Sequence, residues 1–210
     1  MKNKRRLIGN ILIITGLILL LGAGGLFFYN MLENNTFDDT SRSLTDEVKA
    51  VIGTFTEQET EQGTGQAGNS AEPRLQQQQT EFVPQLIGDG VFDGILAIPS
   101  IDLEMSVYDT WNDEYLKSSI CRYYGSPYTD DFVIAGHNYR SGFGKLKDLE
   151  LGDEVFFTDM NGVVTRYVVS QIDILDGTDI SGMLSGGWAL SLYTCTYGGS
   201  ARLTVRCNKV

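Results

Sequence analysis

Residues 153–175 read DEVFFTDMNGVVTRYVVSQIDIL, and this stretch decides the fold class. EVFFT at 154–158 and VVTRYVVS at 163–170 are β-branched and aromatic runs of strand length, separated by Asp159 to Gly162. Asn161-Gly162 supplies residue types that tolerate the positive φ angles of a tight turn, so the segment predicts a β-hairpin. Working outward, the same grammar recurs in GILAIPS at 94–100, LEMSVYD at 103–109, DDFVIAGHN at 130–138, WALSLYTC at 188–195 and RLTVRCNKV at 202–210. Only Phe143 to Leu149 reads as a helical interruption. Short strands from about Phe82 onward, with few helices between them, predict an all-β sandwich or barrel decorated by short helices.

The chain before Phe82 has a different character. LIGNILIITGLILLLGAGGLFF, Leu7 to Phe28, is 22 residues without a charge, long enough at about 1.5 Å per residue to span a hydrocarbon core of about 30 Å. It exceeds the roughly 7–15 apolar residues of a signal peptide and ends in no A-x-A-like cleavage site. Lys2, Lys4, Arg5 and Arg6 precede it, whereas Glu33, Asp38 and Asp39 follow. The positive-inside rule then keeps the N-terminus in the cytoplasm and places everything after about Asn30 outside the cell. Ser41 or Ser43 is positioned to cap a short helix carrying Leu44, Val48, Val51 and Ile52 at near-helical spacing. Residues 56–80, TEQETEQGTGQAGNSAEPRLQQQQT, are almost wholly polar and read as a flexible stalk that cannot repay the entropy cost of ordering. The expected organisation is a basic cytoplasmic segment at 1–6, a transmembrane helix at 7–29, an extracellular stalk at 30–81 that is partly helical and largely disordered, and a folded domain at 82–210.

Composition narrows the function. The 210 residues are 42% hydrophobic and 10% aromatic, enough for a packed core, and three cysteines are too few for a disulfide scaffold. Four of the sixteen basic residues lie in the first six positions, so the rest of the chain carries 12 positive against 27 negative residues. That balance disfavours binding to a phosphate backbone.

Two residues stand out as chemical. His137 is the sole histidine of the chain and follows an apolar strand directly; strand ends are where a scaffold presents reactive side chains. Cys195 ends the alternating strand 188–194 and is followed at once by Gly198 and Gly199, an accessible setting for a thiol. Cys207 shares the face of Leu203 and Val205 and reads as core; Cys121, in SSICRYYGS, is left undecided, and a Cys121–Cys207 disulfide would leave Cys195 free. Arg202 and Arg206 lie on the opposite face of the last strand. If the strands flanking the loop Thr196 to Ala201 are antiparallel, Arg202 lies across from Cys195 while Arg206 is about 13 Å further along.

The order His, Cys, Arg in a membrane-tethered exported β domain resembles the sortases, the transpeptidases that attach proteins to Gram-positive cell walls. The resemblance rests on IAGHN at 134–138, FGKLKDLELGDEV at 143–155, LYTC at 192–195 and RLTV at 202–205. The family writes these as a strand ending in GH, then F-x-x-L-x-x-L-x-x-GD, then T-L-x-TC, then R-[hydrophobic]-x-V. ILAIPSIDLEMSVYD at 95–109 is similar to the family's I-P-x-I-x-L-x-x-P-V-Y strand pair, with Ser106 in place of the usual proline. Tyr193 fills a variable slot. The segment from about Leu175 to Gly187 lacks the long helix of the class B enzymes, and residues 30–90 lack the Asp-Pro-aromatic lid motif of the pilin-polymerising class. The subclass and its sorting signal stay open.

The resemblance implies a closed β-barrel of about eight strands and catalysis by His137, Cys195 and Arg202. A Cys195 thiolate, favoured by a neighbouring His137 imidazolium, would attack a backbone carbonyl. His137 would protonate the departing amine and later deprotonate the incoming one. Arg202 would either stabilise the developing oxyanion or hold the substrate peptide. Thr194 is a candidate substrate-binding residue, with strand propensity as the plainer explanation. The implied partners are exported proteins bearing a C-terminal LPxTG-like signal and an amine of a peptidoglycan precursor or a pilin, with no nucleic acid. Competing readings are an exported cysteine protease using water as acceptor, an L,D-transpeptidase, whose S-x-G-C signature is absent, and a non-catalytic tethered binding domain. No cofactor is implied: the Cys and His positions form no zinc-ligand pair, and calcium modulation, known in some sortases, has no EF-hand-like loop here.

Overall fold

The computed structural model describes residues 2–62, 82–184 and 187–210. The chain divides into two compact units, Met1–Thr36 and Phe37–Val210. The first unit is the opening part of helix α1, which runs Lys2–Gln62. Its large apolar side chains from Ile11 to Leu32 are exposed, and among the described residues this is the one helix long and apolar enough to cross a membrane, with a mean hydropathy of 2.5 over an 18-residue window.

The separate short helix expected after Ser41 or Ser43 does not form, because α1 continues through both serines. No proline lies between residues 29 and 62 to break it. Phe37, Ser41, Thr45, Val48 and Ile52, spaced by three and four residues, are all buried. Tertiary packing of one face, rather than intrinsic propensity, holds a helix of this composition. Of the polar segment 56–80, residues up to Gln62 extend α1, and the remainder of the expected stalk lies outside the described residues.

The second unit is built on nine strands: β1 Gln85–Ile87, β2 Gly90–Ile98, β3 Leu103–Tyr108, β4 Ile120–Tyr124, β5 Phe132–Gly136, β6 Glu154–Asp159, β7 Val164–Asp176, β8 Leu190–Cys195 and β9 Ala201–Lys209. A short helix, α2 (Ile180–Leu184), joins β7 to β8, and a 3-10 turn at Phe143–Asp148 fills the helical interruption seen in the sequence. The order β2-β3-β4-β5-β8-β9-β7-β6 closes through β2–β6 pairing into an eight-stranded barrel, with β1 added as a hairpin on β2. The barrel is mixed, since β3–β4 and β5–β8 are parallel. Closure removes the exposed edges that a strand-rich chain must otherwise protect.

The main core joins Leu96, Ile98, Ile134, Phe157, Tyr167, Leu192 and Val205. A second cluster packs Val48 and Ile52 of α1 with Phe92, Ile95, Tyr108 and Cys121. All three cysteines are free: Cys207 and Cys121 are fully buried and belong to different clusters, so the bridge between them is not made. At the hairpin tip only Gly162 has a positive φ (79°), not the Asn161-Gly162 pair. Asp159 does the rest, its Oδ1 accepting from the amides of Asn161 (2.9 Å) and Val163 (2.8 Å), so a carboxylate-braced turn replaces the two-residue one.

Candidate active site

β5 and β8 are parallel neighbours in register Gly136↔Thr194, and β8 and β9 are antiparallel in register Cys195↔Arg202. His137 is the residue after the end of β5, Cys195 ends β8, and Arg202 opens β9. With neighbouring strands about 4.8 Å apart, the topology brings His137, Cys195 and Arg202 together at one end of the barrel. The sequence had placed His137 and Cys195 58 positions apart; the parallel β5–β8 pairing is what joins them.

Each side chain has a distinct setting. Cys195 and His137 are half-buried. The His137 ring meets that of Tyr139 edge-on, centroids 5.5 Å apart at 86°. Thr194 is buried and its Oγ1 donates to Gly136 O at 2.8 Å, tying the ends of β8 and β5 together beside His137 and Cys195. Arg202 is half-buried, its Nη1 donating to Gly199 O (2.7 Å) and Ala201 O (3.2 Å), with the guanidinium 5.9 Å from the Tyr193 ring centre. Thr178 and, less strongly, Arg202 hold the exposed Asp176 carboxyl below its ordinary range.

A cleft of about 530 Å³ opens against Cys195. Its apolar wall comes from Phe143, Ile174 and Leu203, and Arg140 and Lys147 stand on its rim. Burial pushes the Cys121 and Cys207 thiols up to about 12, which keeps them protonated at neutral pH.

Arg206, set about 13 Å further along the strand in the sequence reading, is 3% exposed, donating from Nη1 to Met183 O and Ser191 Oγ, both at 2.8 Å, and from Nη2 to Gly182 O. Two of its partners are backbone carbonyls of α2, which no pattern in β9 announces, and the third is a hydroxyl of the neighbouring β8. Among the described residues no group of three or more His, Cys, Asp or Glu gathers as a metal site.

The family model described as Sortase domain matches residues 96–210, which contain the barrel from the middle of β2 onward and all three residues of the cluster. The chain belongs to the sortase family. Sortase C1 from Streptococcus agalactiae is 29% identical over 56% of this chain and 66% of its own length, with a TM-score of 0.50. Two clostridial structures share the fold over more of the chain. A Clostridium perfringens sortase D5 transpeptidase is 17% identical over 84% of this chain and 99% of its own, TM-score 0.55. Sortase C from Clostridium perfringens SM101 is 22% identical over 84% and 98%, TM-score 0.51. No curated protein matches the chain. Within this sortase domain, the strand that the family writes as ending in GH is β5 and the strand ending in TC is β8, so the motifs are the paired ends of two parallel strands.

Proposed function

We propose that this sortase is a membrane-anchored cysteine transpeptidase in which Cys195 is the nucleophile, His137 the acid–base and Arg202 the electrophilic partner. The observation that carries this reading is the convergence of the three at the ends of β5, β8 and β9, with Cys195 lining a cleft there. The Cys195 thiolate adds to a backbone carbonyl of the substrate, and the C–N bond breaks as His137 protonates the leaving amine. The thioester so formed is attacked by an acceptor amine that gives its proton to His137; the new amide forms as the C–S bond breaks and the thiolate returns. No redox step or cofactor enters, and calcium modulation is not needed for any step.

Arg202 serves as the permanently charged donor to the oxyanion or as an anchor for the peptide. Thr194, which lines the cleft, acts on the substrate side by holding the strand end that carries His137. The substrate class is an exported protein with a C-terminal LPxTG-like signal, and the acceptor is a cell-wall or pilin amine. The apolar opening of α1 is the single-pass anchor, with the basic N-terminus in the cytoplasm and the barrel outside.

The test is mass spectrometry of the full chain in detergent with a panel of LPxTG-like peptides and an amine acceptor. An acyl adduct on Cys195 together with amine-joined product is expected, and both disappear in Cys195→Ala and His137→Ala. Hydrolysed peptide as the sole product would replace transpeptidation by proteolysis, and no adduct from any peptide would overturn the enzyme reading.

A further inference from the structure

We propose that the stretch of α1 from Phe37 to Ile52 completes the active site, with Phe37 acting through Tyr139 as a positioning residue for His137. The proposal rests on the reading of His137 as the acid–base. His137 lies beyond the last ladder position of β5, so strand pairing does not orient its ring. The ring meets that of Tyr139 edge-on, with 5.5 Å between centroids. The other side of Tyr139 meets Phe37, with centroids 4.3 Å apart at 30°. Three aromatic rings therefore run in contact from the helix to the histidine.

The loop that carries them is shaped around this contact. Tyr139 O accepts from the amides of both Gly142 and Gly144, at 3.0 Å each. A Cβ at Gly142 would lie 2.9 Å from the Phe37 ring, and one at Gly144 would lie 2.6 Å from Tyr139 O. Both glycines are thus required for the turn to close against Phe37. Phe37 itself is 3% exposed.

The helix is seated independently of that ring. Thr45 Oγ1 accepts from the Ser106 amide at 3.0 Å, both residues being buried, and Lys49 pairs with Glu104 on the surface. Val48 and Ile52 belong to the second core cluster. Ser106 stands where the family motif expects proline, and proline has no amide hydrogen to give Thr45. With serine at this position the backbone amide is available to Thr45. The polar residues on α1 that a stalk would present to water are here interleaved with a docking face.

A helix that only filled space would leave the chemistry of His137 unchanged when its ring contact is trimmed, whereas a positioning helix would not. Because His137 is the sole histidine of the chain, its imidazole resonances are unambiguous in histidine-labelled full-length protein in detergent micelles. We expect Phe37→Ala and Tyr139→Leu to move the His137 carbon and proton shifts and its titration midpoint. Both should also shift the pH profile of Cys195 alkylation by iodoacetamide upward by about one unit, a fall of about tenfold in rate at neutral pH. Phe37→Leu, which keeps the apolar seat, should restore much of the rate. Circular dichroism checks folding, and if Phe37→Ala does not fold, Tyr139→Leu in the loop decides. Wild-type shifts and alkylation profiles in both Phe37→Ala and Tyr139→Leu would overturn the proposal. If instead His137→Ala leaves the alkylation profile of Cys195 untouched, the acid–base reading beneath the proposal falls, and that result is separable from the first.

Discussion

Replacing Arg206 by alanine should unfold this protein more readily while replacing Arg202 should not, although the two arginines sit on the same strand face. Arg206 loses two hydrogen bonds of 2.8 Å, to Met183 O and Ser191 Oγ, and a third to Gly182 O. Bonds to a charged group contribute about 1.5–3 kcal/mol each. Against that gross gain stands the cost of burying a guanidinium, visible in the way burial pushes Arg206 below its ordinary range while Asp173 pulls it back. Asp173, partly exposed, retains water when the arginine is gone, so the net loss is on the order of 3 kcal/mol. For a chain of this size that is a fall in thermal midpoint of about 6–12 °C. Arg202→Ala gives up two loop carbonyl contacts from a half-buried site and should stay within about 1 kcal/mol, or about 2–4 °C. Thermal melts of the full chain in detergent, paired with peptide transfer measured well below both midpoints, separate the two. Arg206→Ala should melt early and keep measurable transfer when folded; Arg202→Ala should melt near wild type and transfer poorly. An Arg206→Ala protein with a wild-type midpoint, or equal losses of transfer in both folded variants, would refute the reasoning.

Three further outcomes are expected. Iodoacetamide at neutral pH should modify Cys195 alone in the native chain and all three thiols after unfolding, because Cys121 and Cys207 are buried and held protonated with values of about 12; peptide mapping that finds native modification at either buried thiol contradicts the packing. Burial raises Asp93 to about 7 against the opposing pull of Arg122, so the folded state holds this proton more tightly than an unfolded carboxylate near 3.9. Stability should therefore fall as pH climbs from about 4 to about 7 and level off above, and Asp93→Asn should flatten that part of a midpoint-against-pH curve; parallel curves would count against it. Gly94 has φ +149° at the β2–β6 seam, where a Cβ would lie 2.0 Å from Thr158 O, so Gly94→Ala should cost about 3 kcal/mol in a urea titration, and an unchanged midpoint would mean the barrel does not close there.

Much of the barrel could be read locally. β6 and β7 declared themselves by composition, and β2, β3, β5, β8 and β9 by short apolar runs bounded by turn residues, because strand propensity and turn chemistry act within a few residues. β4 did not: ICRYY sits between a 3-10 turn and a glycine with no alternation to mark it. Its parallel pairing with β3 is a long-range choice. The same holds for β5–β8, which spans 58 residues and joins the candidate site. The register Cys195↔Arg202 was legible because a six-residue loop leaves little freedom. The burial of Arg206 was not, since its partners lie across a connection whose path no strand pattern encodes. In residues 37–52 the helical spacing of Leu44, Val48, Val51 and Ile52 was legible and all four pack in the second cluster, but the full extent of the face was not. Their buried positions include Ser41 and Thr45, so a hydropathy pattern undercounts the docking face, and only the barrel's own Ser106 reveals what Thr45 is for.

The placement of the three candidate catalytic residues at strand ends sets what the rest of the chain must do. A residue inside a strand has its direction fixed by the pleat and by two neighbours, whereas a residue at the end is fixed on one side only. Gly136 and Thr194 are the last positions held by the β5–β8 ladder, and the Thr194 hydroxyl on Gly136 O adds one bond where the ladder stops. Beyond it, the His137 ring packs edge-on against Tyr139, and the Arg202 guanidinium donates to the carbonyls of Gly199 and Ala201 in the loop that follows Cys195. Placement within a fraction of an ångström matters for transfer chemistry, since a 1 Å error costs about a hundredfold in rate. The precision of this site therefore resides in contacts that carry no reactive group: a glycine turn closed by one carbonyl, a helix seated on a serine amide, and a six-residue loop. Substitutions in those supports should alter rate and pH dependence before they alter the identity of the reaction.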